Sequence, residues 1–577
     1  MRLRPTHIHH CDVLVVGGGL AGCMAAITAK LSGAERVILV DKARVSRSGQ
    51  SPFAAGIWAI RLADDNLDLW VEETISSGDY WNDQDWVRLL WERSEQTALK
   101  VEVWGAEFGE VVFERDEQRK LIRRKSRGHY HTWHALFNSM PMMESLRRKA
   151  RNVGVELFER TMITHLIVQD SQKAALGFEY RKGTFPLFQP KASVLASSGC
   201  SFKSVAKFAG GNLTGDLQAA AYRAGVFLRN MENIDLQHGP KHYTVHGKNL
   251  YVSVGGKLVN SNGEEFMWEY DPLLGNRANQ PTMALAIARE VHEGRGPVFM
   301  DMTSASSEDR ELCRRMLPDA FKVWDAAGIE PFRQPIEWAS LFYGTVAQGG
   351  GIHIDTRCAT NVDGIFAAGD VTCLPPHGGY SFGGVNIAFC AVSGEVAGEC
   401  AADYARSYAE PNRDTEALAL RAGELIGENL RPLNSASHHY PAEAIRKIQE
   451  ALIPYRVSII KSRERLEQAL EQITSVQVKM TDMRARNVHE LTESIEAKNI
   501  ALLAQIAIRA SLERRESRGF HFREDYPVID NREWLKWLFV KRGEDGPEMW
   551  TEGIPTPYLK PPEAYARPRG FRRNVQA

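Results

Sequence analysis

Apolar and polar positions divide the chain into regimes of different period. Near the N-terminus two short unbroken apolar runs, DVLVV at 12–16 and VILVDK at 37–42, flank the small-residue stretch CMAAITAKLSGA. Unbroken short runs mark strands buried on both faces, and the stretch between them suits a closely packed helix, so a β–α–β unit is predicted. ASVLASSGC at 192–200 and TNVDGIFAAGDV at 360–371 read as two further buried strands, each running into a turn. From about residue 412 the period changes. Ile445, Ile448 and Leu452, then Leu466, Leu470 and Ile473, then Leu491, Ile495, Leu502 and Ile506 follow helical spacing. These are amphipathic helices with a shared apolar seam, which predicts a bundle packed on the rest of the chain rather than a coiled coil with an outside partner. The end, GIPTPYLKPPEAYARPRG, is rich in proline and charge and is expected to lie extended over a surface.

The turn after the first strand carries Gly17-x-Gly19-x-x-Gly22, with Leu20 and Ala21 inside it. Glycines are needed there because a pyrophosphate must approach the backbone and the helix must pack tightly on the sheet. Asp41, followed by Lys42, ends the second strand and is placed to accept from a ribose hydroxyl. The pattern predicts dinucleotide binding. Gly369-Asp370, after a buried strand far from the first motif, selects FAD over NAD, with Asp370 on the ribityl chain. Ser197, Ser198 and Gly199 close the turn after the third strand. Ser48 and Gly49, with Gln50, Ala55 and Gly56, are expected along the pyrophosphate and ring, and Asp216 near the adenosine end or bracing the domain inserted at about 246–344. Asn386 and Ile387 open a helix after Gly383-Gly384 whose dipole points at the flavin N1/C2 edge.

Bulk properties narrow the setting. The chain has 577 residues, a net charge of -1 and no basic excess, which gives no reason to expect nucleic acid as a partner. No apolar run reaches the roughly 18–20 residues that span a bilayer, and the start lacks an apolar leader core. HIHH at 7–10 reads as a polar tail rather than a metal site. Eight cysteines occur without any CxxC pair, which argues against zinc or iron–sulfur ligation by this chain and for buried thiols in the cytoplasm. Single-electron chemistry would then need iron–sulfur centres on another protein.

RRESRGFHFREDYP at 514–527 packs charge densely near the end of an almost neutral chain. Its pattern, Arg515, Ser517, Arg518, Gly519, His521, Arg523, Asp525 and Pro527, resembles the signature of the succinate dehydrogenase / fumarate reductase flavoprotein superfamily. ISSGDYWNDQDWVRLL at 75–90, Thr214-Gly215-Asp216, HEGRG at 292–296 and EDYPVIDNREWL at 524–535 resemble it too. The resemblance implies an α/β FAD-binding domain, glutathione-reductase-like and Rossmann in type, with an inserted α+β capping domain and a C-terminal helical domain. The expected division is 1–245 with 345–411, 246–344, 412–540 and a tail at 541–577. It also implies that the arginine-rich stretch is an internal ion-pair network tying the helical domain to the flavin domain.

Several family positions differ. Gly49 stands where some members carry a flavin-linking histidine, so noncovalent FAD is expected. Ser381 and Val346 replace a carboxylate-binding arginine and histidine, and Gln280 replaces the proton-donating arginine of the cap, with Arg277 one helical turn away. These changes argue against succinate or fumarate as substrate. RSG at 47–49, Met231-Glu232-Asn233 and FHFREDYP lean toward the adenylylsulfate reductase alpha-subunit-like branch. The candidates for acid–base or anion-binding work are His377, Arg277, His238, His242 (with Lys241) and Tyr380, with His129 and His131 given less weight. The expected function is an FAD-dependent oxidoreductase acting on a small anionic or polar substrate with a ferredoxin-like 4Fe-4S subunit, without membrane insertion and with an oligomer open. The alternatives are a self-contained flavin oxidase or dehydrogenase, a non-catalytic flavin protein for electron transfer, and an adenylylsulfate reductase-like alpha subunit.

Overall fold

A computed structural model describes residues 3–562 apart from 55, 170–171, 205–212, 235, 244, 246–247, 343–349, 381 and 409–414. Its central sheet has seven strands. Glu156–Glu159, Val37–Asp41, Ile8–Val16 and Leu187–Leu195 lie side by side in parallel, and Ile365–Ala367 also pairs in parallel with Leu187–Leu195. The hairpin Thr161–Gln169 / Gln172–Glu179 extends this sheet antiparallel to Leu187–Leu195. The unbroken apolar runs are explained by burial on both faces: every residue of Val37–Asp41 is buried. The first strand begins earlier than the hydrophobic pattern predicts. HIHH is not a tail, because Ile8 to His10 pair with Leu187 to Gln189.

The helix Leu20–Leu31 crosses the sheet against the helix Val385–Ser407. Small residues set the distance: a Cβ on Gly394 would sit 2.4 Å from the Ala21 carbonyl oxygen, and one on Gly398 2.5 Å from that of Ala25. Val385–Ser407 is the one helix among the described residues long and apolar enough to cross a membrane, and most of it is buried in this core. Residues 75–90 do not form one helix. Leu67–Ser77 ends at Gly78 and Gln84–Ala106 starts after Asp83, with Asp79 and Tyr80 at positive φ between them.

A second, four-stranded antiparallel sheet joins Leu236–Pro240, Ile336–Phe342, Val298–Asp301 and Lys257–Val259. The helix Gln280–His292 packs on it, N-capped by Asn279, whose side chain accepts from the Thr282 amide. Leu236–Pro240 pairs with Ile336–Phe342 although the expected boundary at 245/246 separates them. The apolar triplets of the C-terminal region fall on the helices Pro441–Leu452, Arg463–Lys479 and Val488–Glu513, which pack on one another. The expected boundary at 540/541 lies inside a hairpin, Lys536–Arg542 / Pro547–Gly553, whose first strand pairs with Leu228–Arg229. The first part of the expected extended tail is therefore strand, because Trp537, Leu538, Phe539 and Val540 supply a buried face.

The arginine-rich stretch is internal. Arg514 Nε donates to Glu232 at 2.6 Å and its Nη1 to Glu516 at 2.9 Å, all three side chains being fully buried. Arg518 donates to both oxygens of Glu516 and to the Asp79 carbonyl. The amides of Gly519 and Phe520 donate to Asp79 and Asn233. These bonds join the segment after the last long helix to loops of the flavin-binding half.

Candidate functional site

The turns after the parallel strands converge on a cleft open to solvent. Gly17, at φ +114°, lies so close to the neighbouring turn that a Cβ would sit 2.4 Å from the Ala196 carbonyl oxygen. Gly22 does not line the cleft. Its Cβ position lies 1.7 Å from the Gly17 oxygen, so it lets the helix start close under the turn. Gly19, Leu20 and Ala21 line the cleft with Gly18, and the Leu20 amide donates to Ser51 Oγ at 3.1 Å.

Asp41 faces this space from the end of its strand. Its carboxylate accepts from the amides of Gly18 and Ala43, both at 2.6 Å, and from Ser48 Oγ at 3.2 Å. A carboxylate has about four acceptor positions, so one remains for a ribose hydroxyl. Burial pushes the Asp41 carboxyl up, while the two amides and Ser48 oppose the shift. Ser197, Ser198 and Gly199 also line the cleft, and Ser198 Oγ is buried with no partner among the described residues. Asp370 reaches the cleft and accepts from Asn386 Nδ2 at 2.9 Å, and Asn386 Oδ1 is buried without a partner among the described residues. Unsatisfied buried donors and acceptors beside a glycine-rich turn fit a polar dinucleotide. The residues present therefore fit FAD.

Lys42 and Asp216 also line the cleft and bind each other at 2.9 Å. Lys42 further meets Glu496 of the helix Val488–Glu513, and Asn499 donates to Asp216 at 2.8 Å. Asp216 thus sits in a brace to the C-terminal helices rather than to the inserted domain, because Asn499 of Val488–Glu513 donates to it and Glu496 of the same helix holds its partner Lys42. Burial opposes the charged form of Asp216, but Lys42 and the hydrogen bonds outweigh it and hold the carboxyl below its usual range. Ser48, Gly49 and Gln50 line the cleft. Gly56, Gly369 and Ile387 do not, and Ala55 lies outside the described residues. The Gly49 backbone is at φ +75° with nothing within 4 Å of its Cβ position. With no nucleophilic side chain there, denaturation in acid is expected to release all the flavin into the supernatant. Flavin absorbance retained in the washed precipitate would count against that.

The candidates for proton or anion chemistry separate. His377 is buried, neither ring nitrogen has a partner among the described residues, and burial lowers its pKa to about 3. Tyr380 lies beside it, ring centroids 6.3 Å apart, and its hydroxyl accepts from Arg127 Nη2. His238 is buried on the second sheet, where Nδ1 accepts from Trp338 Nε1 at 2.7 Å. Burial first, then the charges of Lys248 and Arg127, push it well below the ordinary histidine value. Both imidazoles are therefore neutral near pH 7. Arg277 is half-buried in a short turn before the cap helix, and its carbonyl accepts from the Gly128 amide at 2.6 Å. Gln280 is fully buried, with Nε2 on the Leu236 carbonyl at 2.8 Å. Ser381 and Val346 lie outside the described residues.

His242 is not part of this group. It and Lys241 are exposed, and both pair with Glu337, which offsets the positive charge they would offer an anion. The strand ends at Pro240, so His242 leaves the face that buries His238. His129 is buried between Thr132 Oγ1 and the Gly383 carbonyl, each at 2.9 Å, and fastens one loop to another. The amide of His131 donates to Glu73, in a part of that loop exposed to solvent. Sequence reasoning missed Arg127, Lys248 and Asn249. The signal for Arg127 was present in RGHYHT, where the histidines drew the weight.

Residues 12–387 match the FAD binding domain family and residues 446–565 the fumarate reductase flavoprotein C-terminal family. The chain is 30% identical to one subunit of the fumarate reductase (CoM/CoB) of Methanothermobacter marburgensis, over 93% of this chain and 98% of that one. In fold it is similar to a variant of E. coli quinol fumarate reductase, with a TM-score of 0.87, 22% identity and coverage of 96% of this chain and 99% of that one. It is also similar to adenylylsulfate reductase of Archaeoglobus fulgidus, with a TM-score of 0.81, 21% identity and coverage of 96% and 97%.

Proposed function

The chain belongs to the fumarate reductase/succinate dehydrogenase flavoprotein family and is an FAD-dependent oxidoreductase of it, and from that premise we propose that it moves electrons between flavin and a small anionic or polar substrate held between the cleft and the second sheet. Bound FAD supplies the two-electron chemistry. The protein's share is position and charge. Asp370, oriented by Asn386, holds the ribityl chain, the turn at Gly17–Leu20 holds the pyrophosphate, and the start of Val385–Ser407 places its dipole toward the ring.

The observation that carries the substrate reading is Gln280. An uncharged, fully buried amide tied to the backbone stands at the start of the cap helix, where a proton-donating arginine would stand by resemblance. That supports a substrate other than succinate or fumarate. The relative from Methanothermobacter carries fumarate reductase in its name, so fumarate is the substrate against which the reading is tested. The names of the relatives describe subunits, which supports a separate partner. We place the iron–sulfur centres on a ferredoxin-like subunit, the complex in the cytoplasm, and no part of this chain in a membrane.

The test is anaerobic. Bound flavin is reduced, and its absorbance is followed during separate additions of fumarate, adenylylsulfate and a panel of unsaturated acids. Fumarate is expected to leave the reduced spectrum unchanged over minutes. Reoxidation by fumarate within seconds would overturn the reading of Gln280. Reoxidation by adenylylsulfate would narrow the substrate to that class.

A further inference from the structure

We infer that Arg127 is the residue that recognises the substrate's anionic group, and that this group is an oxyanion such as a carboxylate or a sulfur oxyanion. The inference rests on the substrate reading above. Arg127 is 2% exposed, yet among the described residues no carboxylate pairs with it. Its Nε donates to Asn249 Oδ1 at 2.6 Å and its Nη2 to the Tyr380 hydroxyl, both neutral acceptors. Its Nη1 is buried and has no partner among the described residues. A guanidinium buried without a counter-charge costs several kcal/mol unless something supplies one. The other buried arginines near the C-terminus, Arg514, Arg518 and Arg523, each have a carboxylate. Arg127 differs from these; Arg229, also buried without an ion pair among the described residues, lies over the Trp537 ring and faces the charge of Asp83.

The backbone fixes that guanidinium firmly. Gly128 is at φ +80° with its Cβ position 2.9 Å from Phe382 Cα, the Gly383 amide donates to the Arg127 carbonyl at 2.8 Å, and the Gly128 amide donates to Arg277 in the cap. The Tyr380 ring lies under the guanidinium at 4.7 Å from its centroid, and His377 lies beside that ring. His238 feels the charges of both Arg127 and Lys248, and its buried Nε2 has no partner among the described residues. With Trp338 donating to Nδ1, the proton of the neutral ring is on Nε2, a second donor for an anion. The site thus offers a fixed fork with one open arm and an imidazole N–H, joined to the loop that leads into the helix at the flavin. A planar or tetrahedral oxyanion matches it, because its oxygens can accept from the open Nη1 and the imidazole N–H and supply the charge the guanidinium lacks.

The test is an anion titration of the FAD-loaded protein in its oxidised state, with no turnover. Malonate and inorganic sulfate are the probes, and flavin difference absorbance and the thermal midpoint are the readouts. Wild type is expected to show a saturable flavin perturbation and an anion-dependent rise in midpoint. Arg127→Gln is expected to weaken binding about 100-fold and Arg127→Lys about 10-fold, the range for losing charged hydrogen bonds. FAD content stays equal to wild type. Preference for malonate marks a carboxylate substrate and preference for sulfate a sulfur oxyanion, and either supports the assignment when Arg127→Gln abolishes it. A lower midpoint for Arg127→Gln with unchanged anion affinity assigns Arg127 a purely structural role and overturns the inference. Failure of both anions to bind wild type overturns it too, and leaves the oxidoreductase reading to the reoxidation experiment. Loss of binding in Arg127→Gln, together with reoxidation of wild type by fumarate alone, keeps the inference and removes the substrate reading.

Discussion

Arg514→Ala is expected to cost about 3–5 kcal/mol of folding stability, the range for removing one partner of a buried ion pair. The cost arises from what the arginine leaves behind. Glu232 loses its 2.6 Å donor in a fully buried site, and burial already pushes that carboxyl up. Glu516 keeps Arg518 but loses Arg514. The Trp534 and Lys536 carbonyls lose donors at 3.1 and 2.8 Å. The guanidinium also lies over the Trp81 ring, 4.4 Å from its centroid. Arg514→Lys recovers little, since one ammonium cannot reproduce the fork or the stacking. Pairing Arg514→Met with Glu232→Met recovers more of the loss than either change alone, because it removes both charges together. Urea unfolding followed by tryptophan fluorescence reads the loss, with Trp81 and Trp534 beside the site. A midpoint for Arg514→Ala equal to wild type would show that the network contributes specificity without stability.

The fold was legible wherever one local rule dominated. Val37–Asp41 and the glycines at 17, 19 and 22 announce a buried parallel strand and a turn that backbone must approach closely, and both hold in the structure. The amphipathic triplets fall on packed helices because a wet side leaves helical periodicity in the sequence. Leu236–Pro240 was not legible as part of the second sheet, because its partner Ile336–Phe342 is about a hundred residues away and pairing over such distance leaves no local mark. The hairpin at 536–553 was hidden by the proline-rich residues after it.

The candidate site was legible in its cofactor half and much less in its other half. Asp41, Ser198 and Asp370 each follow a buried strand, and sheet topology brings strand ends together. His238 and His242 are close in sequence and look equivalent there. A chain leaving its strand at Pro240 buries one against Trp338 and exposes the other to Glu337. Arg127 could be weighed only once its neighbours were known. Its significance is that no carboxylate among the described residues pairs with it, and sequence does not record what fails to be nearby.

Lys461 is expected to make stability rise with pH by about 2 kcal/mol between pH 7 and pH 9, from the linkage of a buried lysine to proton binding. The side chain is 1% exposed at the junction of the C-terminal helices and the arginine-rich loop. Its Nζ lies 3.0 Å from the Glu232 carbonyl oxygen, 3.4 Å from Ser511 Oγ and 3.2 Å from His521 Nδ1. Burial lowers its pKa from 10.5 to about 7, with the Glu232 carboxylate opposing and the Arg523 guanidinium adding to the shift. His521 is pushed well below its ordinary value by burial, then by Lys461, Arg514 and Arg523, so it stays neutral across this range. The sign follows from proton counts. Between about pH 7 and 10.5 the unfolded chain holds a proton on this lysine that the folded protein has lost, so raising the pH favours the fold. Below pH 7 both states are protonated and the slope vanishes, leaving the whole cost of burying the ammonium in place. Lys461→Met removes the proton exchange and keeps most of the volume. Urea midpoints at pH 7 and pH 9 should therefore differ by less in the variant than in wild type, and the variant should be the more stable protein at pH 7. Parallel curves for the two proteins would mean that Lys461 is hydrated or paired more strongly than its burial implies. The same exchange would then have to be assigned to another group of the cluster.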